Sequence, residues 1–416
     1  VRQKRNFCCL RNSSADHLAF GCLGQSSATK IPLSPHPGKE KETAIVIVWY
    51  PISTISMSLF SLFSGQKHPS YLGIDVAFGG VKLVELRNEK GRARLTTYAY
   101  ANAPSDTMDQ SLLNDSAGAA ELIKNMLTKA RTTTKKVITA LPISAIFSSI
   151  LNVPSIDEKD LRELATAQAK KLIPLPIEEV SIDFKVIEKS EKKEGVKPST
   201  RLLVTAAPKT LVNKYVDIFK QAGLELISLE TEAFAEIRSL IGKDRSTIMI
   251  VDMGMLRTNV IIVEQGVPFV TRSIATGGNA ITQTIAKTLG LPIEQAESMK
   301  RDIKSMQSFA PAGDISPILA VLIKPILEEI KYSFGLYQSQ HEAMGGAPRR
   351  IEKLILTGGS SLLPRLPEFL TQHMSVNTYL GNPWARIVYP LDLRPTLEEM
   401  GPRYAVAIGC AMRDIE

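Results

Sequence analysis

Two segments of this 416-residue chain share one design. Leu72-Gly-Ile-Asp-Val-Ala-Phe-Gly-Gly-Val-Lys-Leu-Val-Glu-Leu86 and Ile248-Met-Ile-Val-Asp-Met-Gly-Met-Leu-Arg-Thr-Asn-Val-Ile-Ile-Val263 each run an apolar strand into an Asp, turn tightly, and return as a second apolar strand. An Asp ending a buried strand beside exposed turn amides suits a nucleotide phosphate and its Mg2+. The amides cradle oxygens, and the carboxylate holds the ion or its waters. Asp75 and Asp252 are therefore the candidate metal-side residues. Gly79, Gly80 and Gly254 would let backbone amides approach a phosphate with no Cβ between. Lys82 would neutralise phosphate charge, Thr258 would add a hydroxyl contact, and Arg257 is a further cation at the second turn. A third element, Ile355-Leu-Thr-Gly-Gly-Ser-Ser361, places Gly358, Gly359 and Ser360 where a helix start gathers free N–H groups. Gly277 and Gly278 would line the cleft floor or cap the helix that follows them. Plainer readings exist for each residue. Asp and Gly-Gly are ordinary turn formers, and Lys or Arg on a strand commonly faces solvent. The matched pair of hairpins plus the late Gly-Gly favours a two-lobed nucleotide-binding protein with its ligand between the lobes.

The elements that must position these residues alternate short apolar strands with amphipathic helices, the mark of an α/β architecture. Strands are predicted at Leu72–Val76, Val81–Leu86, Arg94–Tyr100, Val137–Leu141 and Phe147–Leu151, with a helix over Ala117–Ala130. A helix capped at Ser155, with Glu158 three residues on, should run to Leu172. Strands at Val180–Ile187 and Arg201–Ala207 and a helix over Thr210–Ala222 complete a compact subdomain inserted at about 145–224. The first lobe then covers 57–224. The second, 225–380, opens with Leu226–Leu229 and continues through a helix at Ala233–Ile241, the Asp252 hairpin, a strand at Val267–Ile274, and helices at Asn279–Leu289 and Ile293–Met306. The long apolar face of Ile315–Tyr337 is kinked or broken at Pro325. Residues 381–416 return to the first lobe through Ala405–Met412.

Composition bounds the class. Apolar residues make up 44% and charged residues 22%, as in globular proteins. The net charge of +8 is uneven: residues before Met57 hold seven Lys/Arg and three Asp/Glu, and the remaining 43 basic and 39 acidic residues leave only +4. No basic stripe with interleaved aromatics appears, which argues against nucleic acid. Cys8, Cys9 and Cys22 precede Met57, so Cys410 alone remains in the body, which excludes a disulfide framework or Cys-based zinc site there. Residues 1–56 lack Met and any sustained period, and Met57-Ser-Leu-Phe-Ser-Leu-Phe63 reads as a natural start, so 1–56 are taken as a non-native or disordered extension. The rival reading is a membrane anchor at Ala44–Phe63, a span of about 20 uncharged residues, interrupted by Pro51 and several Ser/Thr.

From about Met57 onward the chain resembles the PilM family, the actin-like cytoplasmic proteins of the type IV pilus inner-membrane platform, and more distantly the FtsA cell-division proteins. The resemblance rests on ordered motifs: Gly73-Ile-Asp-Val76 with Val81-Lys82, Glu163-Leu164 with Ile173-Pro174, Ala222-Gly-Leu224, Asp252-x-Gly254 with Thr258, Gly277-Gly278 with Ile281-Thr282, Ala296-Glu-x-x-Lys300, Leu356-Thr-Gly-Gly359 and Asn382-Pro383. It implies an actin-like (ribonuclease H-like) fold of two lobes with an inserted α/β subdomain. By resemblance the cofactors are ATP and Mg2+, with Asp75 and Asp252 facing each other near the β- and γ-phosphates. Gly358, Gly359 and Ser360 would contact adenosine. Glu297 and Lys300, i,i+3 on a helix, resemble a ribose- and base-contacting pair, with an ordinary surface ion pair as the plain alternative. The implied partner is the N-terminal cytoplasmic peptide of PilN, held between the first lobe and its insertion. The PilN–PilO platform and the pilus motor ATPases follow indirectly, with peripheral attachment to the inner membrane and possible self-association.

At the first turn the chain departs from that family. Where relatives carry Gly and small hydroxyl residues, it has Ala77-Phe78, which removes side-chain phosphate contacts. No residue is assigned as a catalytic base, and His17, His36, His68, His341 and His373 lie outside the nucleotide motifs. The expectation is an ATP-responsive scaffold with weak or no ATPase activity. Two rivals are an FtsA-like division protein, disfavoured because Ala411-Met-Arg-Asp-Ile-Glu416 offers no amphipathic tail, and a small-molecule kinase, which needs a further cleft Asp.

Overall fold

The computed structural model describes residues 69–102, 112–154, 158–189, 199–302, 316–343 and 349–415. The readings placed on residues 1–56, the Ser155 cap, the 303–306 end of one helix and Ile315 lie outside these. No helix of the described residues is long and apolar enough to cross a membrane.

Short apolar runs, buried along most of their length, build two five-stranded sheets of one plan. The first takes β1 (Ser70–Ala77), β2 (Gly80–Glu89) and β3 (Arg92–Asn102) as an antiparallel meander, then β4 (Lys136–Leu141), parallel to β1. The chain leaves β4 for an inserted three-stranded antiparallel sheet, β5 (Phe147–Pro154), β6 (Val180–Lys189) and β7 (Ser199–Pro208), in the order β5-β7-β6. It returns as β8 (Glu225–Thr231), parallel to β4, giving the order β3-β2-β1-β4-β8. The second sheet repeats this with β9 (Ile248–Met253), β10 (Thr258–Glu264), β11 (Val267–Ile274), β12 (Lys353–Thr357) and β13 (Asn377–Leu380), in the order β11-β10-β9-β12-β13.

Helices cover both sheets. Before β4, α1 (Ser116–Ala130) is capped by Asp115, whose side chain accepts from the Gly118 amide, and it buries Ala119, Leu122, Ile123 and Met126 on one face. In the insertion, α2 (Glu158–Ala169) closes its own small core with Leu151, Val153, Leu202 and Val204. The next helix, α3 (Lys209–Gln221), buries Tyr215, Ile218 and Phe219 in the core of the first sheet. It belongs to that core and not to the subdomain where the sequence placed it. A second correction concerns Leu226–Leu229: these residues form β8 at the edge of the first sheet, not the opening of the second lobe.

After β8 come α4 (Glu232–Glu236), continued by a wider turn over Ile237–Ile241, and then, past β11, α5 (Gly278–Leu289) and α6 (Ile293–Arg301). The long apolar face is two helices, α7 (Ser316–Leu322) and α8 (Lys324–Ala343), broken at Ile323 because Pro325 cannot donate to the preceding turn. Finally α9 (Leu366–Met374), α10 (Arg394–Met400) and α11 (Ala405–Met412) close the chain. All eight residues of α11 are buried. It wedges between β1 and α4 so tightly that a Cβ on Gly73 would sit 1.8 Å from Ala407 O, and one on Gly409 would sit 1.9 Å from Ala235 O. The end of the chain is thereby tied to the first sheet.

Candidate functional site

The first hairpin sets Asp75 directly across from Lys82, and Lys82 Nζ donates to Asp75 Oδ2 at 3.0 Å. Asp75 is only 7% exposed, so its nearest counter-charge is built in. Lys82 is therefore committed to the carboxylate and is not a free phosphate cation. Phe78 and Gly79 make the two-residue turn between paired Ala77 and Gly80. Gly80 has φ +127°, and a Cβ there would strike Ala101 O at 1.9 Å. Across the cleft, Gly79 meets the Met255 side chain, its absent Cβ falling 3.4 Å from Met255 Cβ. The two turns thus touch.

The second hairpin repeats the register. Asp252 faces Asn259, whose Nδ2 donates to Asp252 Oδ2 at 3.3 Å. Gly254 N–H closes the turn on Arg257 O at 2.9 Å, while Gly254 O accepts from Gly278 N at 2.9 Å and from Ser360 Oγ at 3.1 Å. Gly277 packs flat on this turn, with room for no side chain. Two expected contacts are redirected. Thr258 is fully buried and spends its hydroxyl on Thr276 O at 2.7 Å, bracing the turn without presenting a hydroxyl to the cleft. Arg257 turns onto β11, its Nε donating to Ser273 Oγ at 3.0 Å.

Two carboxyls missed in the sequence enter from α4. Thr231 caps this helix, and Glu232 and Glu236 follow one turn apart, flanked by buried Ala233 and Ala235. Glu232 Oε2 accepts from the Ile143 amide at 2.9 Å and from Asn259 Nδ2 at 3.3 Å. Glu236 is wholly buried, and no group donates to its oxygens among the described residues; its partner is the Asp252 carboxyl, with which it shares a proton. Desolvation, and then the charges of Asp75 and Asp252, push Glu232 up to about 8. Desolvation and then Asp75 raise Asp252 to about 6, against the pull of Lys82. Glu236 lies well above its ordinary range, again from burial first and then Asp252. Acids at i and i+4 among small buried residues were the available signal, and a short Glu-bearing helix reads more simply as solvated surface.

A divalent cation fits this arrangement. Four acidic groups converge where Lys82 is the cation facing them, and burial penalises their ionised forms. Among the described residues, however, no three His, Cys, Asp or Glu side chains could hold a metal alone. Mg2+ here would need phosphate and water oxygens to complete its shell, which is how Mg2+ commonly binds.

The other end of the seam is built on α5, α6 and the Gly358 turn. Gly358 has φ +83°, and a Cβ there would lie 2.3 Å from Asp252 Oδ1. Its N–H and the Thr357 hydroxyl both donate to Pro402 O, at 3.0 and 2.9 Å. Gly359 and Ser360 begin a short 3-10 helix. A Cβ on Gly278 would sit 2.1 Å from Ser360 Oγ and 3.4 Å from Lys300 Nζ, so these groups are contiguous. Glu297 and Lys300 form no ordinary surface pair. Lys300 Nζ reaches Glu297 Oε2 at 2.6 Å, Thr282 Oγ1 at 2.8 Å and Gly278 O at 3.1 Å, and its side chain is 11% exposed. Arg301 adds two bonds to Glu297 Oε1, at 2.9 and 2.6 Å.

The family model for the type IV pilus assembly protein PilM matches residues 73–415. The chain belongs to the PilM family. Among solved structures it is similar to a PilM–PilN type IV pilus biogenesis complex, at 25% identity and a TM-score of 0.68, over 83% of this chain and 98% of that one. It is also 22% identical over 354 residues to the cell division protein FtsA of Streptococcus pneumoniae serotype 2 strain D39, covering 75% of each chain. The ethanolamine utilization protein EutJ of Salmonella typhimurium is 29% identical over 157 residues, 38% of this chain and 48% of its own length. The architecture of this PilM-family chain is the two-lobed actin-like α/β fold, with the β5–β7 sheet as the insertion.

Proposed function

We propose that this PilM-family chain binds Mg-ATP between its lobes and docks the N-terminal peptide of PilN, as a cytoplasmic assembly protein held peripherally at the inner membrane. The observation that carries the nucleotide half is the paired register: Asp75 opposite Lys82 and Asp252 opposite Asn259, at the same place in two sheets of the same order. Family membership and the likeness to a PilM–PilN complex support the docking half. Asp75 and Asp252 would hold Mg2+ directly or through water. The Gly79 turn would meet phosphates, the Gly358–Gly359 turn would meet adenosine, and Lys300 with Glu297 would meet the nucleoside. Bound Mg2+ supplies the positive charge that the acidic cluster lacks.

One contact would let the nucleotide half act on the root of the insertion. The Ile143 amide bonded to Glu232 lies at the root of the insertion, beside a polar cleft of about 230 Å3 lined by Ser144, Phe147, Ser148, Arg257 and Ser273. A change at Glu232 on nucleotide binding would be felt there, and coupling requires only that the peptide prefer one lobe arrangement. Calorimetry of the PilN peptide against apo and Mg-ATP-loaded protein tests this. The proposal expects affinities differing several-fold, and equal affinities would remove the coupling. Ser148→Trp should weaken the peptide while sparing nucleotide.

A second reading, ATP hydrolysis, is favoured by the closeness of Glu232 to both aspartates. With its carboxyl raised to about 8, Glu232 is mostly protonated at neutral pH and a poor base until a cation enters. Slow turnover is the outcome this implies.

A further inference from the structure

Arg403 stands apart from every other cation of the cleft. It lies in the segment Gly401–Tyr404, between α10 and α11, where Pro402 O takes hydrogen bonds from Thr357 and Gly358 and fixes the backbone beneath the Gly358 turn. Its side chain runs past Gly359, whose absent Cβ would lie 3.5 to 3.9 Å from Arg403 Nε, Cγ and Cδ. The Nε is buried without a hydrogen-bond partner, and Arg403 forms no ion pair with any described residue. The one acid close enough to matter, Glu297, already receives Lys300, Thr282 and two bonds from Arg301. Desolvation and then repulsion from Arg301 pull the guanidinium below its ordinary range. A half-buried guanidinium whose Nε meets no acceptor is costly in a resting protein. Such a cost persists where a ligand supplies the missing partner.

We propose that Arg403 is a nucleotide-contacting residue supplied by the C-terminal segment, its planar guanidinium lying against the base of the nucleotide held by the Gly358 turn and α6. This rests on the reading that the cleft binds nucleotide. The base is favoured over the phosphates by position: the groups around Arg403 are Arg301, Tyr100, Tyr404 and Glu297, whereas Asp75, Lys82 and Asp252 mark the phosphate end. The electron-rich face of a base is the natural partner of a guanidinium that lacks an anion, and Arg suits this better than Lys because it is flat and weakly hydrated.

The test compares wild type, Arg403→Met, Arg403→Gln and Arg403→Lys by calorimetry with Mg-ATP, Mg-ADP and adenosine, and by thermal melting without ligand. The inference expects Arg403→Met and Arg403→Gln to lose about tenfold in affinity for all three ligands, with a ligand-free Tm equal to or above wild type. Arg403→Lys should not restore binding. Unchanged affinity in the variants while wild type binds overturns this inference alone. A loss confined to ATP and ADP and rescued by Arg403→Lys also overturns it, by making the contact one to phosphate. Failure of the wild type to bind any of the three overturns the parent reading and this one together.

Discussion

Lys82 donates to Asp75 from the directly opposed position on the neighbouring strand, seven residues along the chain. The second hairpin places Asn259 at the same offset from Asp252. One jaw of the cleft is thus neutralised from within, and the other is only hydrogen-bonded. The asymmetry lies in the strands as well as in the turn, where Phe78 takes the place of a small residue. It makes Asp252 the carboxylate with the stronger demand for a cation, as its upward shift to about 6 reflects.

Removing Lys82 should leave Asp75 buried and unpaired. Lys82→Met is expected to destabilise the protein by about 3 kcal/mol in urea unfolding. The double variant Asp75→Asn/Lys82→Met should regain most of the loss, because it removes both charges. A single variant as stable as wild type would show that solvent already screens the pair.

The acidic cluster sets a pH dependence with a definite sign. Glu232 and Asp252 have folded-state values raised to about 8 and about 6, from 4.5 and 3.8. The folded protein then binds more protons than the unfolded chain between about pH 4 and 8, so these groups lower stability progressively as pH rises through that window. Glu232→Gln should flatten the slope above pH 6, and Mg-ATP should offset it by favouring the ionised carboxylates. A melting temperature that rises from pH 6 to 8 in ligand-free wild type, and equally in Glu232→Gln, would contradict this.

Glu236 is wholly buried and receives no donor among the described residues, and the proton it shares with Asp252 is its one side-chain link. Replacing it with Met, of similar length and no polar atoms, should stabilise the ligand-free protein by about 1–2 kcal/mol. Chemical denaturation decides it. Destabilisation instead would mean that the Glu236 carboxyl holds Asp252 in place.

Docking of the C-terminal helix depends on the missing side chain at Gly409. Gly409→Ala would force a methyl into Ala235 O and should cost about 1–3 kcal/mol. Because α4 carries Glu232 and Glu236, the same change should weaken nucleotide binding from a distance. An unaltered Tm would show that α11 yields freely.

Much of this was legible in the chain because two short apolar runs, joined through an Asp and a tight turn of small or polar residues, leave few alternatives to a hairpin. Pro325 announced the break between α7 and α8 for an equally local reason. What failed was long-range. A run as short as Leu226–Leu229 does not say which sheet it joins, and β8 joined the first. The amphipathic face of α3 does not name the core it enters. Side-chain commitments were also hidden: Thr258 and Arg257 carry suitable groups, but Thr276 and Ser273 claim them. Glu232 and Glu236 acquire their meaning only when β8 delivers α4 to the two aspartates.

Titration calorimetry of the full chain with ATP, with and without Mg2+, tests the central claim most directly. The account predicts saturable binding that strengthens with Mg2+ and falls at least tenfold in Asp252→Ala, with a smaller loss in Asp75→Ala, where Lys82 already balances the charge. No binding by the folded wild type, or binding indifferent to Mg2+ and to both substitutions, would contradict it.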